Sequence, residues 1–121
     1  MAINPQADHL VCYAKAYAQI GPRYLWNSTG ARLNLTNYRG FFVVRDAPGG
    51  AVLFSVSSLN STSKGILRFS NAVSGAYHLK FKPPATSGYG GVDASYILEL
   101  SAPAGPGRLV FERGTLAIRH R

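Results

Sequence analysis

Apolar and polar residues alternate along the second half of the chain. Residues 77–82 read Tyr-His-Leu-Lys-Phe-Lys, so Tyr77, Leu79 and Phe81 share one side of an extended segment and the basic residues share the other. A period of two is that of a β-strand with one buried and one solvated face. We therefore predict a strand here, with its aromatic and leucine side chains pointing into a core.

Two later segments, residues 94–100 and 108–118, repeat this alternation. Their predicted inward positions are Ala94, Tyr96, Leu98, Leu100, Leu109, Phe111, Leu116 and Ile118. Glu99 and Glu112 are then expected to point outward, on strands that are neighbours in a sheet. Gly114 interrupts the last segment, and a glycine inside a strand indicates a bulge or a close approach of backbones.

The first half of the chain also has the composition of short strands. Residues 40–45 and 51–56 are rich in aromatic and β-branched residues, and the Asp-Ala-Pro-Gly-Gly segment at 46–50 predicts a turn between them. We expect a hairpin here. Residues 65–69 are predicted as another strand, and residues 33–38 as a short extended segment.

Residues 10–26 leave two possibilities open. The segment at 14–19 has the composition of a helix. However, it lacks an apolar stripe with helical period, and Gly21-Pro22 interrupts the region. A pair of strands is favoured because the rest of the chain is β. About seven to nine short strands separated by regular turns predict an all-β antiparallel sandwich or barrel.

The length of 121 residues suits one domain. We predict an N-terminal arm at residues 1–8 and a single β-sandwich domain at residues 9–121. The arm lacks the features of a signal peptide, and the chain has no apolar run of the ~18 residues that span a membrane. The loop at 83–91 is rich in proline and glycine and is expected to expose Tyr89. A contact-making loop and a plain flexible connector are equally compatible with this composition.

The net charge is the unusual feature of the composition. Thirteen Lys and Arg residues against five Asp and Glu residues give a formal charge of +8. Such a field attracts phosphate backbones, anionic membranes or acidic proteins. The basic residues are scattered singly, which excludes a polybasic tail and leaves room for a basic face assembled by folding. Lys80 and Lys82 face away from the aromatic residues of their strand, so they lack the stacking platform of a nucleic-acid site.

Residues suited to catalysis are few and dispersed. The five acids are spread along the chain, and His9, His78 and His120 are predicted near the ends or on a solvent face. Cys12, the single cysteine, is predicted to be a small buried apolar residue. No nucleophile, phosphate-loop, dinucleotide or metal-ligand motif is present. We therefore predict a protein without catalytic residues, cofactor or metal.

Several segments resemble a known family. Residues 33–45 (LNLTNYRGFFVVR) are similar to the (D/N)-L-T-G-Y opening, with its later v-R, of small immunoglobulin-like domains in tailed-bacteriophage virions. These domains occur in tail and baseplate proteins, including the N-terminal domain of baseplate upper proteins. The family continues with a turn, a strand like residues 51–56, a Y-x-l-e-l strand like residues 96–100, and a G-x-l-x-v ending like residues 114–118.

The resemblance covers residues 26–118 and departs from the family at Asn37, where a glycine is usual. It implies an antiparallel immunoglobulin-like sandwich acting as a non-enzymatic virion protein, a tail, baseplate or adaptor component. Such a protein would be located in the virion, which is assembled in the host cytoplasm, and would dock there in many copies onto neighbouring subunits and onto itself. The predicted interface residues are Ile3, Pro5, Arg39, Arg45, Lys80, Lys82 and Tyr89.

Three alternatives remain. Within the same class, the chain would be a capsid decoration or cement protein. A basic nucleic-acid-binding β-domain would bring six basic residues onto one surface: Arg32, Arg39, Arg45, Arg68, Lys80 and Lys82. A carbohydrate-binding sandwich would need a planar strip of exposed aromatics, drawn from Tyr13, Tyr17, Tyr24, Trp26 and Tyr89.

Overall fold

The computed structural model describes residues 8–26, 29–103 and 107–120, and these form two facing β-sheets. The strands are β1 Asp8–Tyr13, β2 Ala18–Tyr24, β3 Arg39–Arg45, β4 Val52–Ser57, β5 Gly65–Asn71, β6 Ala76–Phe81, β7 Val92–Ser101 and β8 Arg108–Arg119. A 3-10 turn at Ala72–Ser74 and a one-turn helix, α1, at Pro83–Thr86 complete the regular elements of the described residues. The predicted all-β sandwich is confirmed.

The strand order is that of an immunoglobulin-type sandwich. One sheet has the order β1-β8-β7-β3-β4, and the other has the order β2-β6-β5. In immunoglobulin terms, β2, β6 and β5 take the places of strands B, E and D, and β8, β7, β3 and β4 those of G, F, C and C′. Among the described strands, every pairing is antiparallel except that of β1 with β8, which is parallel.

Aromatic side chains join the two sheets. Phe42 of β3 stacks on Tyr96 of β7, with ring centroids 4.8 Å apart. Phe81 of β6 reaches across to Phe42 at 5.9 Å and meets Phe54 of β4 edge-on at 5.2 Å. Pairs of this kind add roughly 0.5–1.5 kcal/mol each beyond the area they bury. The inward positions predicted for β6 and for the middle of β7 are confirmed, since all are at most 1% exposed.

The region at residues 10–26 is a pair of strands, as favoured by its sheet context. Leu10 and Cys12 of β1 are buried, while the intervening Val11 is exposed, so the strand alternates as a half-buried strand should. A short turn leads into β2, and in this turn the Lys15 amide donates a hydrogen bond to the hydroxyl of Thr86, the last residue of α1, at 3.1 Å. The segment at 33–38 forms no strand, although Leu35 is fully buried.

The expectation that the 83–91 loop exposes Tyr89 is wrong. Pro83 and Pro84 occupy the first positions of α1, where a missing N–H costs nothing, so the diproline begins a helical turn. The loop then folds back over the sandwich. Tyr89 is half-buried against the core, and its hydroxyl donates a hydrogen bond to the Leu53 carbonyl at 3.3 Å.

The expectations for Glu112 and for a bulge at Gly114 are also wrong. Leu98 pairs with Glu112 and the next residue, Glu99, pairs with Val110, so Phe111 is the extra residue of a bulge. Gly114 itself is regularly paired. The bulge shifts the alternation of β8 by one position. Glu112 therefore shares the inward side of β8 with Leu116 and Ile118, which are confirmed as buried. The side chains of Leu109 and Phe111 lie outside the described residues.

Candidate interaction surfaces

A buried carboxylate links the two sheets. The Glu112 side chain is 2% exposed, and its Oε2 accepts hydrogen bonds from Arg23 Nη2 at 2.9 Å and from the Tyr96 hydroxyl at 2.6 Å. The Tyr77 hydroxyl lies 3.1 Å from each carboxylate oxygen and accepts a bond from Arg23 Nε at 2.9 Å. We call Arg23, Tyr77, Tyr96 and Glu112 the Glu112 cluster.

The electrostatics of the Glu112 cluster keep both phenols protonated. Burial raises the pKa of Tyr77 and of Tyr96 well above the usual range, and the neighbouring Glu112 carboxylate raises both further. The phenols are therefore hydrogen-bond donors at neutral pH. Tyr77, Tyr96 and Glu112 are each at most 2% exposed, so a substrate has no access to the carboxylate. The cluster holds β2, β6, β7 and β8 together.

Other titratable groups do not converge in the described part of the chain. No group of three or more His, Cys, Asp or Glu residues there could hold a metal ion. Cys12 points into the core, where burial raises the pKa of its thiol to about 11. His9 lies on the opposite side of β1 and contacts the Thr115 hydroxyl at 2.6 Å. Cys12 and His9 therefore do not form a nucleophile and base.

The three-stranded sheet presents a surface without acidic residues. Because Leu67, Leu79 and Phe81 point inward, the basic residues next to them in sequence point outward. With Arg32, which lies over the same side of β2, we call them the basic face: Arg32, Arg68, Lys80 and Lys82. All acids of the chain lie on strands of the other sheet or in the β3–β4 turn: Asp8, Asp46, Asp93, Glu99 and Glu112.

An aromatic–arginine site lies at one end of the basic face. Arg23 and Leu25 point inward, so Tyr24 and Trp26 point outward, and these are 39% and 42% exposed. The Arg32 guanidinium carbon lies 3.8 Å from the ring centroid of Tyr24 and 4.7 Å from that of Trp26. We call Tyr24, Trp26 and Arg32 the Arg32 site.

The backbone beneath the Arg32 site is held by hydrogen bonds. Trp26 and Arg32 form a β-bridge, and the Leu33 amide donates to the Leu25 carbonyl at 2.9 Å. The Leu25 amide in turn donates to the Gly75 carbonyl at 2.9 Å. Gly75 has a φ of +74°, and a Cβ there would lie 2.7 Å from the Leu33 carbonyl oxygen. This close approach requires glycine, and it fixes Leu25 and Leu33, the neighbours in sequence of Trp26 and Arg32, to the sheet.

The edge strand β1 exposes large apolar side chains. Val11 and Tyr13 point away from the core and are 43% and 53% exposed. Tyr17, in the turn that follows, is 81% exposed. β1 has β8 as its neighbour on one side and no described strand on the other. At the end of this second edge, the Tyr13 carbonyl accepts a hydrogen bond from the Thr86 hydroxyl at 3.4 Å. Among the described residues, the rest of the edge has no partner strand and lies beside apolar side chains, the arrangement that favours addition of a strand.

The predicted interface residues do not form one surface. Arg39 and Arg45 are the first and last residues of β3 and lie on the outer side of the five-stranded sheet. Lys80 and Lys82 lie on the basic face, on the opposite layer. Tyr89 packs on the core. The remaining predicted interface positions, Ile3 and Pro5, lie outside the described residues.

The two binding alternatives are affected in different ways. Of the six basic residues expected to cluster for a nucleic-acid site, Arg39 and Arg45 lie on the other layer and the remaining four form the basic face. The aromatics proposed for a carbohydrate strip are divided among β1, the β1–β2 turn, the end of β2 and the core. The alternation Tyr24-Leu25-Trp26 is a sequence signal that could have identified Tyr24 and Trp26 as outward-facing residues of β2.

In the part of the chain that the structure describes, no helix is long and apolar enough to cross a membrane. Neither the comparison with protein-family models nor that with curated proteins gives a match to the chain.

Proposed function

We propose that the chain is a non-enzymatic structural protein of a tailed-bacteriophage virion, a tail, baseplate or adaptor component that docks in many copies onto neighbouring subunits. The immunoglobulin-type strand order agrees with the resemblance of residues 33–45 and 96–100 to such domains. The one deeply buried acid among the described residues, Glu112, is engaged by internal donors. The sandwich would therefore contact other molecules through its exposed surfaces.

The exposed edge of β1 carries this proposal. Val11 and Tyr13 are large apolar residues on a strand that has no described strand on its second side. Natural sandwiches usually protect such edges with charges or prolines, because an open edge pairs readily with another chain. Strand addition at an edge is a recurrent mode of assembly, in which backbone hydrogen bonds supply affinity and alternate side chains supply specificity.

The charge of +8 fits docking onto acidic neighbours. Complementary surfaces steer association and fix the orientation of the partners, and salt screens the attraction. A capsid decoration or cement protein would use the same surfaces and is the alternative within this class. A basic nucleic-acid-binding domain is the second candidate, and the observation that favours it is the basic face, which has no acid among its strands.

The test compares two matched substitutions on opposite edges of the same sheet. Val11→Lys places a charge on β1, and Val52→Lys places the same charge on β4, where Val52 is 53% exposed. Size-exclusion chromatography at low and high salt, with negative-stain microscopy, measures assembly of the wild-type chain and both variants. We expect wild type and Val52→Lys to form oligomers or rings at both salt concentrations and Val11→Lys to remain monomeric.

Two results would contradict the proposal. A wild-type chain that stays monomeric at all protein and salt concentrations does not assemble through β1. If that monomer instead retards an oligonucleotide with a steep salt dependence, the second candidate replaces the first. Assembly that Val11→Lys leaves intact also contradicts the role of β1. Equal thermal unfolding of the two variants controls for loss of folding.

A further inference from the structure

The Arg32 guanidinium is held over two aromatic rings, and its N–H groups can still donate hydrogen bonds. A guanidinium carries five N–H donors in a rigid plane, which form a fork along its edge. When a guanidinium stacks on a ring, the flat face of the guanidinium contacts the ring and its N–H donors stay free. Arg32 stacks over Tyr24 and Trp26 in this way. Within the described residues, neither an ion pair nor a hydrogen bond engages its guanidinium group. With respect to that part of the chain, the N–H edge of the Arg32 guanidinium is therefore available to a ligand.

The three residue types at the Arg32 site are those that dominate protein interfaces. Trp, Tyr and Arg are enriched among the few residues that supply most of the binding free energy. Their value depends on being ordered before binding, because immobilising a long side chain costs free energy. Here the Trp26–Arg32 bridge and the bonds from Leu25 and Leu33 hold the backbone. The two rings also restrict the arginine side chain.

The covered rings favour a carboxylate over a base or a sugar. A nucleobase or a sugar ring stacks on a free aromatic face. The guanidinium already lies over one face of each ring, and the rings are only 39% and 42% exposed. The group that the site presents is the N–H fork, which matches the two oxygens of a carboxylate in bidentate geometry.

The surroundings of the Arg32 site favour an anion of any kind and repel none. The strands of its sheet carry no acidic residue, and Arg68 and Lys80 lie further along the same face. By contrast, Arg108 on the other sheet already faces an acid, since Glu99 lies 3.9 Å away. The positive potential is therefore uncompensated on the basic face.

We propose that Tyr24, Trp26 and Arg32 bind an aspartate or glutamate side chain of an acidic partner protein. The partner's carboxylate would take the edge of the Arg32 fork, and its neighbouring apolar atoms would lie on the exposed remainder of the two rings. This inference rests on the docking function proposed above and names the chemistry of one partner surface.

Trp26 is the only tryptophan of the chain, so its fluorescence reports on the site directly. The probe is a blocked octaglutamate peptide at low ionic strength, with a blocked octaglutamine peptide as its uncharged match. Arg32→Lys keeps the charge and removes the fork, while Arg68→Ala removes a charge of the same face and leaves the fork. We expect Arg32→Lys to weaken octaglutamate binding roughly tenfold and Arg68→Ala to change it less than about threefold.

Three outcomes overturn the proposal. The first is no change of Trp26 fluorescence on addition of octaglutamate. The second is a loss of octaglutamate affinity in Arg68→Ala that equals or exceeds the loss in Arg32→Lys, which would mean that net charge alone accounts for binding. The third is an oligothymidylate bound more tightly than octaglutamate through Arg32, which indicates a nucleic acid. The peptide assay runs on dilute monomer, so a failure of assembly through Val11 and a failure at Arg32 are separately visible. Unchanged thermal unfolding of Arg32→Lys shows that its fold is intact.

Discussion

Glu112→Gln is the substitution that tests the interior most directly. The amide has the shape of the carboxylate and lacks its charge. In the native cluster, Glu112 accepts bonds from Arg23, Tyr77 and Tyr96 inside the core. The substitution leaves the Arg23 guanidinium without its counter-charge and places an N–H₂ group where one oxygen accepted a phenol hydrogen.

The expected cost follows from this geometry. Removing one partner of a buried ion pair destabilises a protein by about 3–5 kcal/mol. The Arg23 side chain is 22% exposed, so water solvates its charge in the variant and offsets part of that loss. The remaining amide oxygen also accepts at least one phenol hydrogen bond. We therefore expect a loss of about 2–4 kcal/mol in the free energy of unfolding. For a domain of this size, that corresponds to a melting temperature lower by about 8–15 °C.

The assay is urea denaturation at neutral pH, with Glu99→Gln as the matched control. Glu99 faces Arg108 at 3.9 Å on the surface, where the two side chains are 24% and 51% exposed. Exposed pairs contribute little, so the control should lie within about 0.5 kcal/mol of wild type. A double-mutant cycle of Arg23→Met with Glu112→Gln should give a coupling energy of about 1 kcal/mol or more.

Equal losses of unfolding free energy in Glu112→Gln and Glu99→Gln would contradict a stabilising role of the buried carboxylate. That result would mean that the carboxylate is solvated in solution or that the phenols and the guanidinium find equivalent partners elsewhere. A large loss of unfolding free energy without coupling to Arg23 would support the burial of Glu112. It would also show that the ion pair with Arg23 does not cause the loss.

Three further predictions concern stability and reactivity. Burial raises the folded-state pKa of Tyr77 and Tyr96 above the unfolded value of 10.0, and it raises that of Cys12 from 9.0 to about 11. These protonated groups therefore contribute their full stabilisation of the folded state below about pH 9, and the contribution is lost as the pH rises. Urea midpoints that stay constant up to pH 11 would contradict this prediction. Ellman's reagent should react with Cys12 slowly in the native protein and rapidly in urea, because the thiol is buried and protonated; fast native reaction would show an accessible thiol. Gly65→Ala should cost more than about 2 kcal/mol, because Gly65 has a φ of +136° and its added Cβ would contact the backbone of β6. Gly49→Ala, with a φ of +75° and open space around the added Cβ, should cost about 1 kcal/mol, and urea denaturation of both variants measures the difference.

The strands were predictable where the two sides of a strand differ in chemistry. Residues 77–81 and 94–100 alternate without interruption, and both segments lie in sheets with one face on the core. Residues 10–26 were correctly favoured as strands because sheet context outweighed a weak helical composition. The parallel pairing of β1 with β8 had no local signal, since it depends on which strands the rest of the fold brings together.

Glu112 and the Arg32 site could not be predicted for a related reason. The bulge at Phe111 changes which side of β8 faces inward. The predicted inward positions change from odd to even between Phe111 and Leu116, which indicates a break in the alternation but does not give its position. Burying a glutamate requires donors, and those come from strands that are distant along the chain. Tyr24 and Trp26 alternate as outward residues should, but the loop after β2 had to return before Arg32 could stack on them.

The two proposed contact surfaces lie on different layers of the sandwich, and this separation has a consequence for assembly. Val11 and Tyr13 point outward from the five-stranded sheet, while the Arg32 site belongs to the face of the three-stranded sheet. Residues on opposite layers can contact two different neighbours at the same time. Salt should weaken the contact at Arg32 and leave the apolar contact at β1 largely intact, because screening acts on charges. An assembly built through both surfaces should therefore lose its acidic partner first as salt is raised, while contacts between copies through β1 persist.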